Sequence, residues 1–143
     1  MIKISLAKPH HDESIKAFYR QCDYGGGLNK EDDVLIAQSA ENIVGAVRLC
    51  PDKGFCVLRG MQVLKSFQRQ GIGTQLLQAF VEQLSIRSIT CYCLPWEHLH
   101  SFYLQAGFKK VSSVEVPFIL YERFHSYLSK GMNVILMVRL LPL

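Results

Sequence analysis

The chain of 143 residues has no long apolar run. Its longest aliphatic stretch, Val134 to Val138, falls far short of the roughly 20 residues needed to span a membrane. The opening Met1-Ile2-Lys3-Ile4-Ser5-Leu6 has neither an apolar core of signal-peptide length nor a small-residue cleavage pattern. Its five cysteines, Cys22, Cys50, Cys56, Cys91 and Cys93, form no Cys-x-x-Cys pair and no set with histidine at zinc-ligand spacing, so no metal is expected. Basic residues are dispersed, Lys109-Lys110 being their only adjacent pair, and the net charge is only +4. That pattern lacks the stripe a nucleic-acid binder needs. No internal repeat, linker or low-complexity stretch divides the chain. The expectation is a cytoplasmic protein with free thiols and neither a membrane nor a nucleic-acid partner.

With 49% apolar and 20% charged residues the composition is that of a folded globule, which excludes wholesale disorder. Its length suits one domain over 1–143. Ile2 to Leu6 alternates as a strand does, and Pro9-His10-His11-Asp12 breaks it, with Asp12 as a candidate N-cap. Ile15, Phe18, Tyr19 and Cys22 then fall on one helical stripe, ended by Tyr24-Gly25-Gly26-Gly27. Val34–Ala37, Ile43–Leu49 and Phe55–Val63 read as a meander of strands, the second turn being Pro51-Asp52-Lys53-Gly54. Ile72, Leu76, Phe80 and Leu84, flanked by Leu77 and Val81, predict a long helix. A short strand over Ile89–Cys93 follows, with Cys91 and Cys93 on one face as small buried side chains. A second helix carries Leu99, Phe102, Tyr103 and Ala106 and stops at Gly107. Strands are expected near Lys110–Val116 and Val134–Leu140. Mostly antiparallel strands with one strand-helix-strand crossover indicate a mixed α/β (α+β) class.

The most informative segment is Val63-Leu64-Lys65-Ser66-Phe67-Gln68-Arg69-Gln70-Gly71-Ile72-Gly73-Thr74. A strand ends there, and a glycine-punctuated turn opens the long helix. Unpaired N–H groups at a helix start, backed by its dipole, form an anion site. Glycine lets backbone approach a phosphate, and Arg69 and Lys65 add positive charge. The dinucleotide fingerprint fails because Leu76 stands at its third glycine, and the nucleoside-triphosphate loop fails for want of Gly-Lys-Ser/Thr. What remains is Gln68-x-x-Gly71-x-Gly73. It resembles the acetyl-CoA pyrophosphate loop of the GCN5-related N-acetyltransferases, the GNAT family. Ser101-Phe102-Tyr103-Leu104-Gln105-Ala106-Gly107-Phe108 is similar to the family's second signature, and the order of elements agrees.

The resemblance implies a splayed, mostly antiparallel sheet of about seven strands flanked by helices. It implies that Met61, Gln62 and Val63 run beside pantetheine on a bulged strand. The N–H groups of Arg69, Gln70, Gly71, Ile72, Gly73 and Thr74, after Gln68, would hold the pyrophosphate of acetyl-CoA as co-substrate. The implied reaction is transfer of its acetyl group to a primary amine of a small molecule or peptide. Tyr103 stands at the family's proton donor to the departing thiolate; the alternative is a helix tyrosine packed in the core. Lys65 stands where the family often has proline, and Trp96 where it often has a cofactor-contacting asparagine. Many relatives place a glutamate on the strand before the turn, yet no carboxylate occurs here between Asp52 and Glu82. Glu97, His98 and Glu115 are substitutes for a base, or solvated surface groups.

By the family pattern, acceptor walls come from Tyr24–Gly27 and from Tyr121–Lys130, the connection between the last two strands. Tyr24, Arg59 and Arg123 are the candidate acceptor contacts. The two arginines suit a carboxylate, unless they are simply exposed on a strand end and a loop. A homodimer is expected by resemblance alone. Two other functions stay open: a catalytically silent CoA-binding sensor, and a partner-binding domain without a cofactor.

Overall fold

The computed structural model describes residues 1–141; the last two of the expected 1–143 domain, Pro142 and Leu143, lie outside it. The strands β1 (Ile2–Leu6), β2 (Asp33–Ser39), β3 (Asn42–Pro51) and β4 (Phe55–Val63) form an antiparallel meander, with α1 (Asp12–Gln21) inserted after β1. The helix α2 (Ile72–Arg87) carries the chain from β4 to the parallel strand β5 (Thr90–Cys93). Then come α3 (His100–Leu104), β6 (Lys109–Lys110), α4 (Phe118–Ser129) and β7 (Met137–Arg139). One seven-stranded sheet results, in the order β1-β2-β3-β4-β5-β7-β6.

Strand alternation sends side chains to two faces, and each face meets its own helix. Val34 and Ile36 pack with Ile15, Phe18 and Tyr19 of α1. Leu35 and Ala37 pack with Ile72, Leu76, Leu77, Phe80 and Leu84 of α2. Cys91 and Cys93 are fully buried on the α2 side, as their spacing predicted. Among the described residues no cluster of three or more His, Cys, Asp or Glu side chains is placed to hold a metal. No helix among them is long and apolar enough to cross a membrane.

Three expectations are corrected. Asp12 is the first residue of α1 rather than its cap; His11 holds the cap position after a 3₁₀ turn at Pro9–His11. Asp12 still places negative charge in the first turn, where the helix dipole favours it. The strand expected over Lys110–Val116 shrinks to Lys109–Lys110. Ser112 caps a 3₁₀ turn at Ser113–Glu115, accepting from the Val114 N–H at 3.4 Å, and Pro117 has no N–H to offer a ladder. The expected connection over Tyr121–Lys130 is mostly helical. In α4, Leu120, Arg123, Phe124 and Tyr127 make a buried and half-buried stripe at i, i+3, i+4 and i+7, and an arginine within that stripe hides the period.

Candidate active site

The site begins with a defect in β4. Across from β3, Arg59 pairs with Arg48 but Gln62 pairs with Ala46, so Val47 faces two residues, Gly60 and Met61. This is a β-bulge, and Gly60 adopts the left-handed φ of +64° that it requires. The Tyr19 hydroxyl donates to the Gly60 carbonyl at 2.7 Å. A Cβ at position 60 would lie 2.8 Å from that hydroxyl and 3.0 Å from Arg48 Nε, which leaves room only for glycine. On its other edge β4 pairs with β5 only from Phe55 to Leu58. Beyond the bulge the two parallel strands separate, leaving the backbone of 59–63 without a β5 partner.

A cavity of about 680 Å³ opens along that gap to the head of α2. Met61, Gln62, Val63, Gln68, Arg69, Gly71, Ile72, Gly73 and Thr74 line it. Of the ten residues expected at the cofactor only Gln70 does not; its amide donates back to the Ser66 carbonyl at 3.4 Å. The Gln68 side chain donates to the Val63 carbonyl at 3.0 Å, buckling the loop to the strand end. Arg69 (φ +64°) and Gly71 (φ +80°) are both left-handed. The first backbone bond of the helix is from the Gln75 N–H to the Gly71 carbonyl, 3.0 Å. Among the described residues the N–H groups of Arg69 through Thr74 have no backbone acceptor. Six successive amides at the positive end of a 16-residue helix fit a diphosphate. A Cβ on Gly71 would meet nothing within 4 Å; the position faces open space. Lys65, expected beside the phosphates, does not line the cavity.

A second cavity, of about 170 Å³, adjoins the first. Tyr24, Arg59 and Arg123, the expected acceptor contacts, all line it, with Trp96 and Tyr127. Tyr24 sits on the glycine loop after α1, while Arg123 and Tyr127 stand one turn apart on α4. Met61, Gln62, Leu99 and Tyr103 line both cavities. Tyr103 is 4% exposed, its ring edge-on to Phe102 and Phe108. Burial pushes its phenol well up from the ordinary range, so it stays protonated. Among the described residues neither cavity has a carboxylate in its wall. Glu97 and Glu115 are exposed away from both, and His98 reaches only the larger.

The sequence reading missed Arg48, although one charge inside the apolar run Ile43–Leu49 was its signal. Arg48 is completely buried. It donates to the Gly27 carbonyl at 2.7 Å and pairs with Asp32 at 3.3 Å. Its guanidinium carbon lies 5.7 Å from the Tyr19 ring centre and 5.9 Å from that of Tyr24. Arg48 thus ties the glycine loop, and with it one side of the smaller cavity, to the strand beside the bulge. The sequence reading also passed over Leu99 and Phe102 as site residues; their apolar spacing marked them only as core.

Residues 30–110, more than half of the chain and including both cavities' central elements, match a family described as the acetyltransferase (GNAT) domain. The chain belongs to the GNAT acetyltransferases. As a GNAT domain it resembles many solved structures, although no curated protein matches its sequence. The N-acetylglutamate synthase of Neisseria gonorrhoeae, complexed with coenzyme A and N-acetyl-glutamate, superposes with a TM-score of 0.74 at 20% identity. This GNAT chain is covered in full there but spans only 36% of that synthase chain. The ribosomal-protein-S18-alanine N-acetyltransferase of Escherichia coli gives a TM-score of 0.75 at 13% identity, covering 100% of this chain and 96% of that one. An aminoglycoside 6′-N-acetyltransferase complexed with coenzyme A gives 0.72 at 18%, covering 99% and 98%. At such identities the likeness establishes the GNAT fold.

Proposed function

We propose that this protein is an acetyl-CoA-dependent N-acetyltransferase acting on a primary amine of a small molecule or peptide. The observation that carries the reading is the row of six amides without acceptors, opening onto a cavity whose far end meets a second one at Tyr103. Acetyl-CoA, when bound, supplies an acetyl group activated as a thioester. The amides from Arg69 to Thr74 hold its diphosphate, and the unpaired edge of β4 offers backbone donors and acceptors to an extended chain. Coenzyme A in two of the similar structures supports that choice of co-substrate.

The acceptor nitrogen bonds to the acetyl carbonyl carbon, and the carbon–sulfur bond breaks. The amine's surplus proton leaves to water, and the sulfur takes one from Tyr103, which regains it from solvent. Burial keeps the Tyr103 phenol protonated, and the same desolvation makes the departing thiolate a stronger base, so the proton passes to the sulfur at the shared wall. Because no carboxylate lines either cavity, the amine enters as its free base. The missing strand carboxylate also favours a second reading, a sensor that binds acetyl-CoA without turnover.

Calorimetry with acetyl-CoA, together with thiol detection of CoA release across an amine panel, tests both readings. Binding with amine-dependent release supports the enzyme. Binding without release for every amine indicates the sensor, and no binding overturns both.

A further inference from the structure

Arg59 comes from β4 beside the bulge and Arg123 from α4, and both reach the 170 Å³ cavity. Both are half-buried. The ion pairs among the described residues are Lys16–Glu13, Arg48–Asp32 and Arg87–Asp33, so neither cavity arginine has an acid partner. Asp32, itself buried, is committed to Arg48. No Asp, Glu, His or Lys lines the cavity; its other polar side chains include Gln62 and the phenols of Tyr24, Tyr103 and Tyr127.

Two like charges facing one partly desolvated space repel each other, and an anion between them relieves both. Each guanidinium presents a planar fork that a carboxylate matches with two parallel hydrogen bonds. A second cationic group on the acceptor would meet only repulsion there. We propose that the acceptor is an amine that also bears a carboxylate, held by Arg59 and Arg123. The assignment rests on the acetyl-transfer reading above and adds the substrate class. The arginines line only the smaller cavity, whereas Tyr103 lines both. Fixing the carboxylate at the arginines therefore leaves the amine to approach the shared wall.

Two measurements test it. Trp96, the only tryptophan in the chain, lines the same cavity and serves as a fluorescence reporter. Titration of the intact protein with glutarate should change its emission, glutaramide should not, and R59Q or R123Q should weaken the glutarate response about tenfold or more. In the transfer assay, amino acids should be acetylated at least tenfold faster than their amides or than spermidine. R59Q and R123Q should raise KM for the amino acid about tenfold, with a much smaller change in kcat. Equal rates for acids and amides, preference for spermidine, preference for aminoalkyl phosphonates, or a glutarate response indifferent to both substitutions would overturn the assignment. Acetyl-CoA affinity, measured separately, reports on the underlying reading. A protein that binds acetyl-CoA and acetylates only neutral amines refutes the carboxylate alone.

Discussion

Tyr19 and Gly60 lie 41 residues apart and meet through one hydrogen bond of 2.7 Å, from the phenol of α1 to the carbonyl at the β4 bulge. That bond couples the helix on one face of the sheet to the kink that parts β4 from β5. Burial pushes the Tyr19 phenol well up, which keeps the donor proton in place.

Gly60→Ala should therefore damage both stability and the site. The left-handed φ costs an L-residue roughly 1–2 kcal/mol, and a Cβ would press on the Tyr19 hydroxyl and Arg48. Urea unfolding should show a loss of about 2 kcal/mol or more. Unchanged stability would mean that the bulge relaxes easily.

Gly71→Glu separates binding from folding. Its Cβ would face open space, so the fold should lose only about the 1–2 kcal/mol of a left-handed non-glycine residue. A carboxylate placed among the six amides should compete with the diphosphate and lower acetyl-CoA affinity at least a hundredfold by calorimetry. Gly71→Ala should share the stability loss while keeping most of the affinity.

Tyr103→Phe tests the proton donor. Its hydroxyl has no hydrogen-bond partner among the described residues, so melting temperature should hold or rise. Acetyl-CoA affinity should change less than threefold, while kcat should fall about tenfold to a hundredfold. A kcat equal to wild type would remove the donor role.

Alkaline pH should destabilise the protein. Burial pushes the thiol of Cys93 far up and that of Cys50 up to about 12, and raises the phenols of Tyr19 and Tyr103. Unfolded, the thiols release protons near their ordinary value of about 8.5. Above that pH the unfolded chain binds fewer protons than the folded one, so stability falls as pH rises. Each such group adds a slope of about 1.4 kcal/mol per pH unit. Melting temperature measured from pH 7 to 11 should decline from about pH 9, and Cys93→Ala should show a shallower decline.

The glycine-punctuated turn was legible because its signals are local and lie in the backbone. Glycine spacing and the start of an apolar period locate a helix N-terminus, and nine of ten expected residues line the large cavity. The meander was legible because alternation and turn residues are local signals. Helix α4 was not, since Arg123 occupies a stripe position that would be apolar if it faced the core rather than a cavity. Arg48 was overlooked for a related reason: its partners, Gly27 and Asp32, are 21 and 16 residues away and carry no local mark.

Sequence alone thus determined the meander, the long central helix, the GNAT resemblance and the amide-rich turn, all set by neighbours within a few residues. Tertiary structure decided that Arg59, Arg123, Tyr24 and Tyr127 line one cavity, and that Tyr103 stands where two cavities meet. Those groupings come from sheet order, the bulge at Gly60 and the docking of α4. Each depends on packing between segments tens of residues apart, which no local period encodes.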